Sequence, residues 1–315
     1  MKSFKTTLND QGILTISIDV ANETMNVLNQ QVIDDFELLS SDIEKNDAIK
    51  AVIFISGKQQ GFIAGADIKI LQQANTAMDG KTIAVNAHTL FGRIANSRKP
   101  HIAAIDGVCL GAGYELALAC HYRIATDNKD TKIGLPEVML GLLPGGMGNT
   151  KLPRLISLTA ALDMLLSGKK VDSKRAMRMG MIDEVVSPNI LQYSAESTAL
   201  RLIEQGTPRR SSSFKDKLMK LSFIRKLIIK KAREQVMQKT QGLYPAPLAI
   251  LDVVEQGLHK PLNKALEIEA TQFGELTASP EAKQLINIYF ATTELKKETF
   301  IDTDETPQAV TRLGI

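Results

Sequence analysis

Glu115 and Glu137 are the residues best placed to do chemistry. Each stands almost alone in an uncharged stretch, Glu115 in GVCLGAGYELALAC and Glu137 in IGLPEVMLGLLPGGMGNT. A carboxylate among Leu, Ala, Val and Met is costly to ionise and takes a raised pKa. Such residues are rarely kept without a partner or a task. Two of them, each beside a glycine-rich turn, are the equipment of general acid–base chemistry.

Two segments share a design that could stabilise negative charge. In AVIFISGKQQGFIAGADIKIL a strand leads through Gly57, Gly61 and Gly65 into a helix starting near Asp67. In IAAIDGVCLGAGYELALAC a strand leads through Gly107, Gly111 and Gly113 into a helix starting near Tyr114. A helix N-terminus offers unpaired N–H groups and partial positive charge. Glycines let a ligand approach the backbone. Two such turns facing one point would form an oxyanion hole for a carbonyl gaining charge. Glycine before a helix is common, so the signal lies in the pairing and in the lone Glu beside the second turn.

The elements that must position these residues alternate. Strand-like runs fall at 12–19, 51–57, 102–107 and 122–126. Helical spacing recurs at 27–46, 82–97, 158–168 and 171–180, the last capped by Asp172 or Ser173 and stopped by Gly180. DEVVS reads as a short edge strand. After about residue 188 strand signals vanish. Helical patterns at 189–205, 214–238, 246–257, 261–277 and 280–297 are punctuated by Pro188, Pro208, Pro245, Pro247, Pro261 and Pro280. The expected architecture is α/β followed by an all-helical extension, with a boundary near 188–208.

Composition excludes several classes. The 315 residues are 44% hydrophobic with mean hydropathy −0.05, enough to bury a sizeable core. No apolar run reaches the length of a membrane span, and MKSFKTTLNDQG has no signal-peptide core. Cys109 and Cys120 lie in apolar surroundings and read as reduced packing residues. These features point to the cytoplasm. A net charge of +3 gives no reason to expect nucleic acid. The charge is uneven: residues 209–239 hold eleven Lys or Arg against Asp216 and Glu234. Within 214–238, Leu218, Leu221, Phe223, Ile224, Leu227 and Ile228 sit between cations. The bland reading is a helix packed on its own protein; the sharper one is contact with a partner subunit, acyl-CoA phosphates or an anionic membrane surface. His88, His101, His121 and His259 have no metal-ligand spacing and read as structural; no metal site is expected.

FIAGADIKIL, then HIAAIDGVCLGAGYELALAC, then IGLPEVMLGLLPG, in this order, resemble the enoyl-CoA hydratase/isomerase (crotonase) family over roughly residues 5–190. The resemblance implies a crotonase-like spiral of ββα units. KTQGLYPAPLAILDVVEQGL and the helices after it resemble the linker region of α-subunits of bacterial fatty-acid β-oxidation multienzyme complexes, where a hydratase is followed by a dinucleotide-binding 3-hydroxyacyl-CoA dehydrogenase. The implied division is a hydratase/isomerase domain over 1–190, a helical linker over 191–308, and the first strand of a truncated dinucleotide-binding domain over 309–315. The sequence is therefore expected to be cut from a longer polypeptide. NAD would belong to the missing part, and this stretch would need no cofactor beyond the coenzyme A of its substrate.

The resemblance also implies residue roles. The N–H groups of Ala66 and Ala112 would bind the thioester oxygen. Glu115 would act as base on a water attacking C3 of a trans-2-enoyl-CoA, and Glu137 would deliver the proton to C2. Ile63, Ala64, Gly65 and Asp67 would wrap the adenine end of CoA, with Lys69 a lesser candidate near the phosphates. Gly111 and Gly145 would contact substrate, Gly145 at the pocket floor. Asp67 is equally a helix-start residue favoured by the dipole. Many relatives carry glycine where this chain has Ala112 and Met147; the second change bears on pocket shape. A Δ3–Δ2-enoyl-CoA isomerase at the same site, or a non-catalytic acyl-CoA-binding module, remain the alternatives. A thiolase β-subunit is the implied partner.

Overall fold

In the computed structural model, which describes residues 1–59, 61–207 and 222–295, the apolar runs of the first half pair into two sheets. The strands are β1 (Phe4–Leu8), β2 (Ile13–Ile18), β3 (Ala51–Ser56), β4 (Gly61–Ile63), β5 (His101–Ile105), β6 (Val108–Leu110), β7 (Tyr122–Thr126), β8 (Lys132–Gly134), β9 (Lys170–Val171) and β10 (Glu184–Val186). The larger sheet runs β1-β2-β3-β5-β7-β10, and the smaller runs β4-β6-β8-β9. The chain alternates between them: β3, β5 and β7 enter the larger sheet, and β4, β6 and β8 follow each of them into the smaller. Those strands pair in parallel, with β1 antiparallel on β2 and β9 antiparallel on β8. This is the expected α/β spiral of repeating units.

Central parallel strands are covered on both faces, so they read as continuous apolar runs. Alternation within them divides the core. Leu14, Val52, Phe54, Ala103, Ile105 and Ala125 face the main cluster. Ile13, Ile53, Ile102, Ala104 and Ile124 face a second cluster, closed by Leu191, Ala195, Ala199 and Leu202.

The helices are α1 (Gln30–Lys45), α2 (Ile68–Gln73), α3 (Ala77–Ala95), α4 (Ala112–Ala119), α5 (Gly148–Leu155), α6 (Leu158–Ser167), α7 (Ser173–Met179), α8 (Leu191–Gln205), α9 (Ser222–Thr240), α10 (Pro245–Gly257), α11 (Leu262–Thr277) and α12 (Pro280–Leu295). Several begin where side-chain caps dictate. Thr76 and Asp79 form a reciprocal capping box that starts α3 five residues earlier than its apolar spacing suggests. Asp172, rather than Ser173, caps α7, accepting from the Arg175 amide at 2.8 Å. β1 and α5 have no place in the sequence reading. Exposed polar positions hide β1, and Pro153 interrupts the pattern of α5.

α8 packs on the larger sheet, while α9 to α12 pack on the other side and join the main cluster through Ile229, Val236, Ile250, Phe273 and Ile286. α3 and α11 cross closely: a Cβ on Gly274 would sit 2.2 Å from the Ala77 carbonyl, and one on Gly80 would sit 2.8 Å from Thr277. The expected helix over 214–238 is described from 222 onward as α9, with Ile229 and Val236 buried and Phe223 and Leu227 exposed. Residues 214–221, the last residues of the expected 280–297 helix, and the expected strand at 309–315 lie outside the described residues. Cys109 and Cys120 are free and buried. Among the described residues no helix is long and apolar enough to cross a membrane.

Candidate active site

Two turns meet at the heart of the site. β4 ends at Ile63 and the chain crosses Gly65 and Ala66 to Asp67, whose carboxylate caps α2 by accepting from the Lys69 amide at 3.0 Å. β6 ends at Leu110 and Gly111 opens α4. Their contact is backbone to backbone. A Cβ on Gly113 would lie 2.5 Å from the Ile63 carbonyl, and one on Gly111 would lie 3.7 Å from the Gly65 Cα. Only glycine allows this approach, and Gly111 also takes φ 52°, ψ −128°, a conformation other residues avoid.

The first turn is pinned from outside by Asn26, a residue the sequence reading passed over. Buried Asn26 donates to the carbonyls of Ile18 and Phe62 and to the Ser56 hydroxyl, while its own Oδ1 accepts from Val20. Backbone bonds from Ala64 to Asn26, from Leu28 to Gly65 and from Asp67 to Leu28 then clamp residues 64–67. No described backbone acceptor takes the Ala66 or Ala112 N–H. Ala66 is exposed and Ala112 half-buried, so the two amides lie where a ligand oxygen could reach. Ile63 is fully buried, and Ala64 and Gly65 are half-buried. Lys69 is exposed and makes no described side-chain contact with the site.

Glu115 lies in the first turn of α4, buried, and its Oε1 accepts from the amides of Gly146 at 2.7 Å and Gly148 at 2.8 Å. Burial, with the negative charge of Glu269 behind it, carries its pKa from 4.5 up to about 7, against the pull of those two amides. Glu137 opens a short 3-10 turn, Glu137–Leu140, reached from β8, whose Gly134 carbonyl accepts from the Gly111 amide at 3.0 Å. That bond ties the Glu137 segment to the second turn. Glu137 Oε1 sits 3.2 Å from where a Gly111 Cβ would be, and its Oε2 is buried with no hydrogen-bond partner. Burial first, then the charge of Glu115, hold the Glu137 carboxyl well above the usual range.

Gly65, Ala66, Gly111, Ala112, Glu115 and Glu137 are thus brought together. Asp67 spends its carboxylate on its own helix. Gly145 is buried beneath the Phe273 ring, 2.5 Å from where its Cβ would be. Met147 adopts φ 85°, which explains why glycine suits this position, and its side chain is buried near Gly92 of α3.

The helical extension builds part of the wall. Tyr244 donates its hydroxyl to the Val138 carbonyl, and Gly141 packs against Ala282 of α12. A third glutamate, Glu269 of α11, is fully buried. Its Oε1 accepts from the Met147 amide at 2.7 Å and lies 2.9 Å from His88 Nε2. The sequence reading missed it because charged neighbours in ALEIEATQF mask it. Its signal is the spacing Ala265, Glu269, Phe273, which sets it on the apolar face. Buried His101 lies in tilted ring contact with half-buried His121, and burial lowers the His101 pKa to about 4. Among the described residues no group of His, Cys, Asp or Glu is arranged to hold a metal. Two carboxyl groups with raised proton affinity, beside two free amides, can transfer protons while a neighbouring oxygen gains charge.

The enoyl-CoA hydratase/isomerase family model matches residues 9–244. The α subunit of the fatty acid oxidation complex from Shewanella baltica strain OS155 is 45% identical over 298 residues, 95% of this chain. The corresponding protein of Shewanella frigidimarina is 44% identical over the same length. The chain spans 42% of the length of these curated relatives. An enoyl-CoA hydratase structure from Geobacillus kaustophilus superposes with a TM-score of 0.61 at 25% identity, covering 93% of this chain and 95% of that one. One from Bacillus anthracis, with a TM-score of 0.60, 21% identity and 94% and 97% coverage, shares the fold.

Proposed function

Because the chain belongs to the enoyl-CoA hydratase/isomerase family, we propose that it adds water to trans-2-enoyl-CoA thioesters, giving 3-hydroxyacyl-CoA, as one step of fatty-acid oxidation. The amides of Ala66 and Ala112 bind the thioester oxygen and draw electron density from C3. Glu115 takes a proton from water as its oxygen attacks C3. Glu137 delivers a proton to C2 as the charge on oxygen collapses. The observation that carries this reading is geometric: the Glu137 carboxyl lies against Gly111, the residue that opens the helix bearing Glu115, and its Oε2 has no hydrogen-bond partner. Burial raises the proton affinity of both groups, which suits them to exchange protons near neutral pH. Each such group contributes about 10²–10⁴ in rate.

The isomerase reading needs only one carboxyl group, which moves a proton between C2 and C4. The unpartnered Oε2 of Glu137 favours keeping it, since that oxygen is free to receive a proton. The test is loss of the conjugated thioester absorbance with short, medium and long enoyl-CoAs, alongside a 3-enoyl-CoA. Hydration unchanged in both Glu115→Gln and Glu137→Gln would end the assignment; binding without turnover would favour a carrier role. No cofactor beyond coenzyme A takes part.

The relatives named are subunits of a fatty acid oxidation complex, which supports placing this chain in such an assembly. A thiolase β-subunit is the partner of this reading, to be tested by co-purification. The basic stretch 214–238 is the candidate for contact with anionic lipid. Its exposed Phe223 and Leu227 support that; failure to sediment with anionic liposomes at low salt would remove it.

A further inference from the structure

Glu269 and His88 lie on two helices that neither glycine turn belongs to, yet both bear on Glu115. Three consecutive amides leave the 146–148 turn. Gly146 and Gly148 donate to Glu115 Oε1, and Met147 between them donates to Glu269 Oε1. Met147 holds a left-handed backbone that a side-chain-bearing residue rarely adopts, and such strain persists only where surrounding bonds over-determine it. Glu269 supplies one of those bonds from a fully buried carboxylate, whose Oε2 has no partner. His88 Nε2 closes the other side at 2.9 Å.

We propose that Glu269 and His88 form a positioning pair, which pins the Met147 amide so that its neighbours aim at Glu115. This rests on the hydratase reading for its kinetic consequences. Glu269 accepts the Met147 amide, and Glu115 accepts the two flanking amides. Its two members act on Glu115 with opposite sign, since Glu269 raises the affinity and His88 lowers it. The other charged groups facing this cluster are Glu137 on the 3-10 turn and Arg154 on α5, which also senses Glu269. On its outer side His88 borders a surface cleft of about 730 Å³ shared with Glu44, Asp47, Arg93 and Lys99.

Three variants of the full chain separate the roles. Glu269→Ala removes the acceptor for Met147; kcat should fall at least about tenfold while KM stays within about threefold. Glu269→Gln keeps an acceptor and removes the charge. It should restore most of kcat and move the acidic limb of the kcat/KM profile down by about one pH unit. His88→Gln should move that limb up, by less. A lesion that merely loosened the fold would not move the limb in opposite directions. Limbs of Glu269→Gln and His88→Gln that overlay the parent, or shift the same way, would overturn the pair. Carboxyl 13C resonances, with Glu115 assigned by Glu115→Gln, read the same shift without turnover and without requiring Glu269→Ala to fold. If the chain shows no hydration, the proposed function fails; if hydration depends on Glu115 but not on Glu269 or His88, only this inference fails.

Discussion

Burial raises the Glu115 pKa from 4.5 up to about 7, so the folded chain binds that proton more tightly than the unfolded chain does. Its stabilising contribution is full below about pH 4.5 and is lost as pH rises through 7. At about 1.4 kcal/mol per pH unit, the loss approaches ~3 kcal/mol at pH 8.5. Glu115 is 3% exposed, so solvent does not discount this figure. Glu115→Gln removes the charge and keeps an oxygen for the Gly146 and Gly148 amides. It also relieves Glu137, which the charge of Glu115 pushes up. Thermal unfolding followed by circular dichroism should place the variant several degrees above the parent at pH 8.5. The gap should narrow as pH falls and close below about pH 4.5. Hydration should fall about 10²–10⁴-fold in the same preparation. A variant less stable than the parent at pH 8.5, or a gap that ignores pH, would refute the reasoning.

Three other outcomes follow from the geometry. Gly111→Ala forces a side chain into φ 52° and sets its Cβ 3.2 Å from Glu137 Oε1; turnover should drop about 10–10²-fold by misplacing that carboxyl group, as steady-state rates will show. Ala112→Pro deletes one proposed oxyanion donor at the first helical position, where proline is tolerated. It should cost about 10²–10³ in kcat with an unchanged far-ultraviolet spectrum. Gly274→Ala must part α3 from α11, since its Cβ would lie 2.2 Å from the Ala77 carbonyl. Denaturant titration should show a loss of about 1–3 kcal/mol, with activity falling as Glu269 moves.

Glu115 and Glu137 were legible because each interrupts a long uncharged stretch, and a single charge in such company stands out. The glycine turns were legible because positive φ and close backbone approach restrict the residue type. The strands of the larger sheet showed as apolar runs because both their faces are covered. What stayed hidden follows from the same logic. Glu269 sits among Lys264, Glu267 and Glu275, so only its helical phase distinguishes it. His88 acquires its role from a residue 181 positions away, a separation no local pattern encodes. Asn26 looks like any loop asparagine until its four partners converge on it. β4, β6 and β8 are three residues each, too short for periodicity to register.

The Met147 amide finds its acceptor 122 residues downstream. Ribosomes release chains from the N-terminus, so both sheets can close while that acceptor is still unsynthesised. A nascent chain stalled near residue 240 would carry every expected catalytic group and still lack the strut behind them. Competence would therefore arrive late and abruptly, once α11 docks on α3, rather than growing with length.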